Sequence, residues 1–265
     1  MKAIAYICKT CGIEYEPSFI PPFQCPVCED ERQYVPATGQ AWTTMDEVNA
    51  AHKNIVERIS DNLYAIYSTP NFAIGQRAHL IISPSGNILW DCITNIDEST
   101  IQIIRQLGGI KAIAVSHPHY FSSIIQWSQH FDDAQIYIHK LDEEWLGRRN
   151  GAIRFWEEDE IQLWDDIRLL CCGGHFPGAN VLYWPAEKTL LTGDTIQVCP
   201  DLKSVSFMYS YPNLIPLSKQ AILRISDCIE PLEYDKMFGA FGKNIRSEAK
   251  NIMAFSVNRY LSIFK

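Results

Sequence analysis

The chain has 265 residues, of which 47% are hydrophobic and 20% charged, with 14 glycines and 14 prolines. That composition supplies a sizeable apolar core and excludes a disordered, collagen-like or low-complexity chain. A formal net charge of −8 argues against nucleic acid as the main partner, because phosphate binding needs a basic surface, and no apolar run approaches the ~18 residues of a membrane span.

The stretch from Met1 to Cys8 is briefly apolar, carries no small-residue cleavage site and reads as no signal peptide. Nine cysteines, an odd number, cannot form a fully paired disulfide framework. Free thiols without a secretion signal point to a reducing cytoplasm. Residues 1–40 form one expected unit. They hold two C-x-x-C pairs (Cys8, Cys11, Cys25, Cys28), the prolines Pro17, Pro21, Pro22, Pro26 and Pro36, and little periodicity.

Residues 41–265 form the second expected unit. A short helix is predicted over 41–55, where Thr44 and Glu47 have capping-box spacing. Leu63 to Tyr67, Ala78 to Ile82 and Ile88 to Trp90 read as strands, with Pro84-Ser85-Gly86-Asn87 as the turn between the last two. Asp97 to Leu107 is helical and stops at Gly108-Gly109. Lys111 to Ser116 reads as a buried strand, Phe121 to Phe131 as a helix and Gln135 to Ile138 as a strand. Further strands are predicted at 167–171, 180–184 and 189–192. Ser218 opens a helix with Ala221, Ile222, Ile225 and Ile229 on one side, and a last helix runs from Ile245 with Ala249, Ile252 and Phe255 inward. The sum is an α+β chain of layered sheets covered by helices. Cys92, Cys171, Cys172, Cys199 and Cys228 lie in apolar stretches and read as buried, reduced core thiols.

The cysteine quartet has the spacing C-x2-C-x13-C-x2-C. Each pair makes a tight loop aiming two thiolates at one ion, with Gly12 free to take a left-handed turn and Pro26 stiffening the second loop. Four thiolates suit tetrahedral zinc or iron, the alternative being a disulfide or unrelated thiols. A unit of about 35 residues has too little core to fold alone, so the ion would supply its folding energy. The wording Tyr6-Ile7-Cys8-x-x-Cys11-Gly12 and Pro21-Pro22-Phe23-Gln24-Cys25-Pro26-Val27-Cys28 resembles the small rubredoxin-like domain of rubrerythrins, which implies redox iron. Similar zinc ribbons hold structural zinc.

A second donor set lies at strand ends. The strand Lys111 to Ser116 runs into His117-Pro118-His119, and alternate residues of extended chain face one way, so both imidazoles can reach one ion. His175 follows two glycines in Gly173-Gly174-His175, and Asp194 closes Leu191-Thr192-Gly193-Asp194. Three imidazoles and a carboxylate make a transition-metal shell. His79, His130 and His139 read as structural, and Tyr120 reads as either a donor to substrate or an outward aromatic.

The ordered set, with Ala78 to Ile82, Gly86 to Asp91, the helix ending at Gly108-Gly109 and Thr192-Gly193-Asp194, resembles the metallo-β-lactamase superfamily over residues 60–245. The resemblance implies an αββα sandwich with metals at one edge between the sheets. It implies His117, His119 and His175 on the first metal, Asp194 as the bridging carboxylate, and Asp91 in support. The family's H-x-H-x-D-H motif reads His117-Pro118-His119-Tyr120-Phe121-Ser122 here, and Phe241 stands where a last His is usual, so the second metal's other ligands are missing. The expectation is a metal-dependent hydrolase acting on a small-molecule substrate, with one zinc or iron at the histidines and with Asp194 as ligand or water-orienting group. One alternative is an oxidoreductase using rubredoxin-like iron. Another is a non-catalytic binding protein with a degenerate site.

Overall fold

Side chains alternate across a strand, and in the central strands of both large sheets both sets are covered. The computed structural model describes residues 2–264. The first sheet runs in chain order: Lys53–Ser60, Leu63–Thr69, Ala78–Ile81, Ile88–Trp90, Ala112–Ala114, Gln135–His139 and Ile153–Trp156. Its first four strands pair antiparallel and its last four parallel. The second sheet orders Glu160–Gln162, Arg168–Cys171, Asn180–Trp184, Thr189–Gly193, Lys236–Gly239 and Asn244–Ile245. Only Thr189–Gly193 and Lys236–Gly239 pair parallel there, and the helix Lys219–Ile229 lies in the crossover between them.

Leu169, Leu182, Leu191 and Phe238 of the second sheet meet Leu63, Ile81, Ile88, Trp90 and Ala114 of the first. Their neighbours Leu170, Val181, Tyr183, Leu190 and Met237 turn the other way, onto Ile222, Ile225 and Ile229 of Lys219–Ile229 and Ala249 and Met253 of Ala249–Leu261. On the far side of the first sheet, Ile66, Leu80, Leu89, Ile113 and Ile136 lie under Ile101 and Ile104 of Glu98–Gln106 and Ile124 and Trp127 of Ile124–His130. The four layers are the αββα sandwich expected. Burial on both faces explains why these strands read as continuous apolar runs.

The helix expected over 41–55 is Met45–Ala51, with Thr44 and Glu47 forming the capping box. It stops there because residues 53–60 become the long edge strand Lys53–Ser60, unread in the sequence because half its residues face solvent. The helix expected from Phe121 starts at Ile124, since Pro118–Tyr120 forms a 3-10 turn and Ser122 is left-handed at φ +33°. The last helix starts at Ala249 rather than Ile245, because Asn244–Ile245 pairs with Met237 and Phe238 as an edge strand. Met253, Ser256 and Val257 face inward there, and Phe255 is 57% exposed. Of the five scattered cysteines, Cys92, Cys171 and Cys172 are buried, whereas Cys199 and Cys228 are only half-buried.

The cysteine ribbon is built from Ile7–Cys8 antiparallel to Trp42–Thr43 and a short helix Pro26–Glu29 with Pro26 at its first position. It is docked by directional bonds. Glu14 N–H donates to the Ser122 carbonyl at 2.9 Å. The buried Glu14 carboxylate accepts from Gln126 Nε2 at 2.7 Å and Arg148 Nη1 at 2.5 Å. Thr94 Oγ1 donates to the Gly12 carbonyl at 2.8 Å. Among the described residues no helix is long and apolar enough to cross a membrane.

Candidate metal centres

Cys8, Cys11, Cys25 and Cys28 are each at most 2% exposed, and their sulfurs converge within 4.8 Å. Cys8 Sγ lies 3.6 Å from Cys28 Sγ and Cys11 Sγ 3.5 Å from Cys25 Sγ. A tetrahedron of sulfurs about 2.3 Å from its centre has edges of about 3.8 Å, so the cage fits one ion. Gln40 Nε2 donates to Cys8 Sγ at 3.2 Å and the Tyr15 hydroxyl to Cys25 Sγ at 3.1 Å, contacts that favour thiolate. Hydrogen bonds from the other three thiols pull the Cys8 thiol below its ordinary range, and burial pushes Cys11 up. Four buried thiolates within 4.8 Å of one another repel strongly, so all four are ionised together only when a cation displaces their protons.

The second centre lies where strands of both sheets end. Asp91 follows Ile88–Trp90, His117 follows Ala112–Ala114, His175 follows Arg168–Cys171 and Asp194 follows Thr189–Gly193. His117, His119, His175 and Asp194 bring donor atoms within 4.8 Å of one another, at exposures of 1%, 3%, 1% and 3%. The two imidazoles of His117-Pro118-His119 do not converge by extended alternation. His117 is extended, and Pro118 opens a 3-10 turn, its fixed φ suiting the first helical position. The turn carries the His119 ring to 5.2 Å from His117, centroid to centroid, and the His175 ring lies 4.8 Å from His117.

Nε2 of each of the three histidines is buried without a hydrogen-bond partner, as is Asp194 Oδ1. Three orphaned imidazole nitrogens converging beside a buried carboxylate are costly unless they share a cation. Burial, reinforced by the His117 imidazole, brings His175 down to about 4. Burial also holds His119 well below the usual histidine range, helped by His117 and His175. Both rings are therefore neutral at neutral pH, with lone pairs free for a metal. Asp194 Oδ2 sits 3.6 Å from His117 Nε2 and 4.0 Å from His175 Nε2. The donor set fits a single metal ion.

The supporting contacts fix the rings. His175 Nδ1 lies 3.1 Å from the Met208 carbonyl, to which it donates when Nε2 faces an ion. His117 Nδ1 is 2.8 Å from Ser116 Oγ, and Ser116 N–H donates to Asp91 Oδ1 at 2.7 Å, so Asp91 acts on the site through Ser116. Asn180 Nδ2 donates to the carbonyls of Val115, Ser116 and Gly178, at 3.0, 2.9 and 3.1 Å, stitching the second sheet to the first beside the ligands. Gly193, at φ +49°, leaves no room for a side chain, because a Cβ there would lie 2.4 Å from Ser116 Oγ.

The ribbon reaches this centre directly. Arg32, four residues beyond Cys28, donates from Nε to the His175 carbonyl at 2.7 Å. Its guanidinium lies 4.4 Å from the Tyr209 ring, 4.6 Å from Phe176 and 5.7 Å from Trp145, centre to centre, and is held by Asp30 at 2.8 and 2.9 Å. Asn213 Nδ2 donates to the carbonyls of Glu31 and Gln33 at 2.9 and 3.0 Å. The Tyr211 hydroxyl donates to the Asp194 carbonyl at 3.1 Å. Arg32, Asn180, Tyr209 and Tyr211 carry no mark in the sequence, because the contacts that bring Arg32 to the His175 carbonyl, Asn180 to Val115, Tyr209 to Glu31 and Tyr211 to the Asp194 carbonyl each span more than ten residues of chain.

The other candidates resolve as follows. The Tyr120 hydroxyl donates to the Arg77 carbonyl at 3.0 Å on a fully buried ring, so it faces neither substrate nor solvent. His79 is buried, its ring 6.1 Å from Phe238. His139 packs edge-on to Trp156 with Nδ1 accepting from Leu141 N–H at 3.3 Å, and His130 is exposed at a helix end. Phe121 is buried in the core shared with the ribbon, Phe241 packs against that core, and Ser122 Oγ is committed to the Cys92 carbonyl at 3.2 Å. Among the described residues the cysteine quartet and the set of three histidines and one aspartate are the two groups of metal donors that converge.

The Metallo-beta-lactamase superfamily model matches residues 74–240. The chain is 43% identical over 262 residues to the uncharacterized protein YmaE of Bacillus subtilis (strain 168), covering 97% of this chain and 95% of that one. Its fold is similar to that of VMB-1, with a TM-score of 0.60 at 16% identity over 80% of this chain and 99% of that chain. It is also similar to a structure described as the peroxy diiron species of the chemotaxis sensor ODP, with a TM-score of 0.56 at 17% identity over 80% and 100%. On fold, strand-end donors and family match together, the chain belongs to the metallo-β-lactamase superfamily.

Proposed function

We propose that the protein is a metal-dependent hydrolase with one catalytic ion at His117, His119, His175 and Asp194. The observation that supports this most is Asp194. One carboxylate oxygen faces the imidazoles, and Oδ1 is buried with no partner, free to take a proton. A bound ion would supply Lewis acidity, raising the acidity of water in its reach and polarising a substrate carbonyl or phosphoryl oxygen. The three imidazoles would hold the ion, Ser116 and the Met208 carbonyl fix two of the rings, and Asp194 would orient water and accept its proton. Arg32, Phe176, Tyr209 and Trp145 wall the centre and keep bulk water out, which strengthens electrostatic interactions inside. The substrate is a small molecule, since the donors lie under the ribbon.

The test is metal-dependent turnover on chromogenic carboxylic, thio-, phospho- and lactam esters and amides. The proposal expects hydrolysis of at least one class, lost on His119→Ala and displaced in pH profile on Asp194→Asn. An enzyme with its histidine ion in place that cleaves none of them contradicts it.

A second reading rests on the contact between centres. Arg32 links the ribbon to the His175 loop, and one similar fold is described as a diiron species. Iron in both centres would make the ribbon an electron donor to the histidines. A visible thiolate-to-iron absorption in purified protein supports this reading, and colourless zinc in the quartet removes it.

A further inference from the structure

Thiols meet at one place outside the two metal centres. Cys171 ends the strand Arg168–Cys171 and Cys172 follows it, while Cys228 sits in the last turn of the helix Lys219–Ile229 that covers that sheet. Cys172 Sγ lies 3.5 Å from Cys228 Sγ. Cys172 is fully buried. Cys228 is half-buried and lines an open groove of about 610 Å³ with Cys171, Gln220, Leu223 and Arg224. The Arg224 guanidinium approaches Cys171 Sγ at 4.0 Å, placing a positive charge beside the thiols, with Asp159 3.8 Å from it and Asp227 also on the groove wall.

We propose that Cys228 and Cys172 form a peroxide-sensitive dithiol, with Cys228 as the sulfur first oxidised and Cys172 as the resolving partner. Of the two, Cys228 is the one that lines the groove a small oxidant can enter, and Cys172 Sγ, 3.5 Å away, is placed to resolve it. The hydrogen bond with Cys172 and the nearby Arg224 charge hold the Cys228 thiol below its ordinary range, which favours the nucleophilic thiolate. The Cys228 thiolate attacks hydrogen peroxide. The O–O bond breaks, one oxygen stays on sulfur as sulfenic acid, and the other leaves as hydroxide and takes up the thiol proton as water. Cys172 sulfur then attacks the sulfenic sulfur. The S–O bond breaks and a second water leaves with the Cys172 proton. Two thiols and one peroxide give one disulfide and two waters, the sulfurs losing the two electrons that peroxide gains. Bond formation needs the sulfurs to close from 3.5 Å to about 2.05 Å. The product would tie the root of the His175 loop, three residues beyond Cys172, to the helix above it.

The experiment treats the metal-loaded, full-length protein with a few equivalents of hydrogen peroxide, alkylates free thiols under denaturing conditions without reduction, and maps the tryptic peptides 169–188 and 225–236. The expected result is a cross-linked pair two hydrogens lighter than the sum of its parts, reversed by dithiothreitol. It persists in Cys171→Ser. In Cys172→Ser it is replaced by a Cys228 sulfenic acid trapped by dimedone. A cross-link that vanishes in Cys171→Ser, or an alkylated Cys228 in wild type after peroxide has oxidised other thiols, overturns the proposal.

Discussion

Arg32→Ala probes the join between the two centres. The side chain is 12% exposed and donates one short hydrogen bond, at 2.7 Å, to the His175 carbonyl. A charged hydrogen bond of this kind contributes about 1.5–3 kcal/mol. The guanidinium also faces three aromatic rings at 4.4, 4.6 and 5.7 Å. The rings share one cation, so they add about 1 kcal/mol together. Asp30 keeps the Arg32 backbone N–H at 2.9 Å and stays partly solvated, which adds little. The substitution should cost about 3 kcal/mol in urea denaturation, and Arg32→Lys should recover less than half, because an ammonium cannot reproduce the planar fork and stacking. A second readout separates this from generic destabilisation: a chelator should strip the histidine ion several-fold faster, since the carbonyl that anchors the His175 loop loses its donor. Unchanged stability together with unchanged ion release would refute the reasoning.

Cys11→Ser should lose the ribbon ion and lower the melting temperature while the histidine ion stays, read by elemental analysis of the two variants side by side; unchanged metal content and melting would mean the quartet binds nothing. His119→Ala should do the reverse, keeping the ribbon ion and losing the histidine ion, because only two imidazoles and a carboxylate remain; full stoichiometry in that variant would place the site elsewhere. His79 has its pKa lowered by burial, with Arg77 adding, from 6.5 to about 3. The unfolded chain therefore binds the extra proton in that window, and stability is lost as pH falls from about 6.5 toward about 3. The stability advantage of wild type over His79→Gln should shrink across that range in pH-dependent urea titrations, and a constant difference would show that His79 carries no such penalty.

Both donor sets were legible in the sequence because metal chemistry imposes local spacing. C-x-x-C is one tight turn, and His175 and Asp194 stand at strand ends marked by glycine. Strands buried on both faces, such as Asn180–Trp184 and Thr189–Gly193, announced themselves as apolar runs. Lys53–Ser60 did not, because its exposed half reads as polar and its partner is supplied by pairing alone. The 3-10 turn at Pro118–Tyr120 was hidden because a proline fits extended chain and a first helical position equally well. The Ile245 to Glu248 segment carried a helix-like pattern that edge pairing with Met237 overrode. Arg32 was beyond sequence reasoning altogether, since its partner carbonyl lies 143 residues away and a backbone oxygen leaves no mark on residue type.

The central claim is one ion at the histidines rather than two. Phe121 and Ser122 are committed to the core and to the Cys92 carbonyl, so a second dication would have Asp194 as its only charged ligand, close to the first ion and repelled by it. Anomalous diffraction from crystals of the metal-loaded protein, with elemental analysis of the same sample, counts the ions directly. The account predicts two per chain, one among Cys8, Cys11, Cys25 and Cys28 and one among His117, His119, His175 and Asp194. Three per chain, two of them ~3.5–4 Å apart beside Asp194, would contradict it.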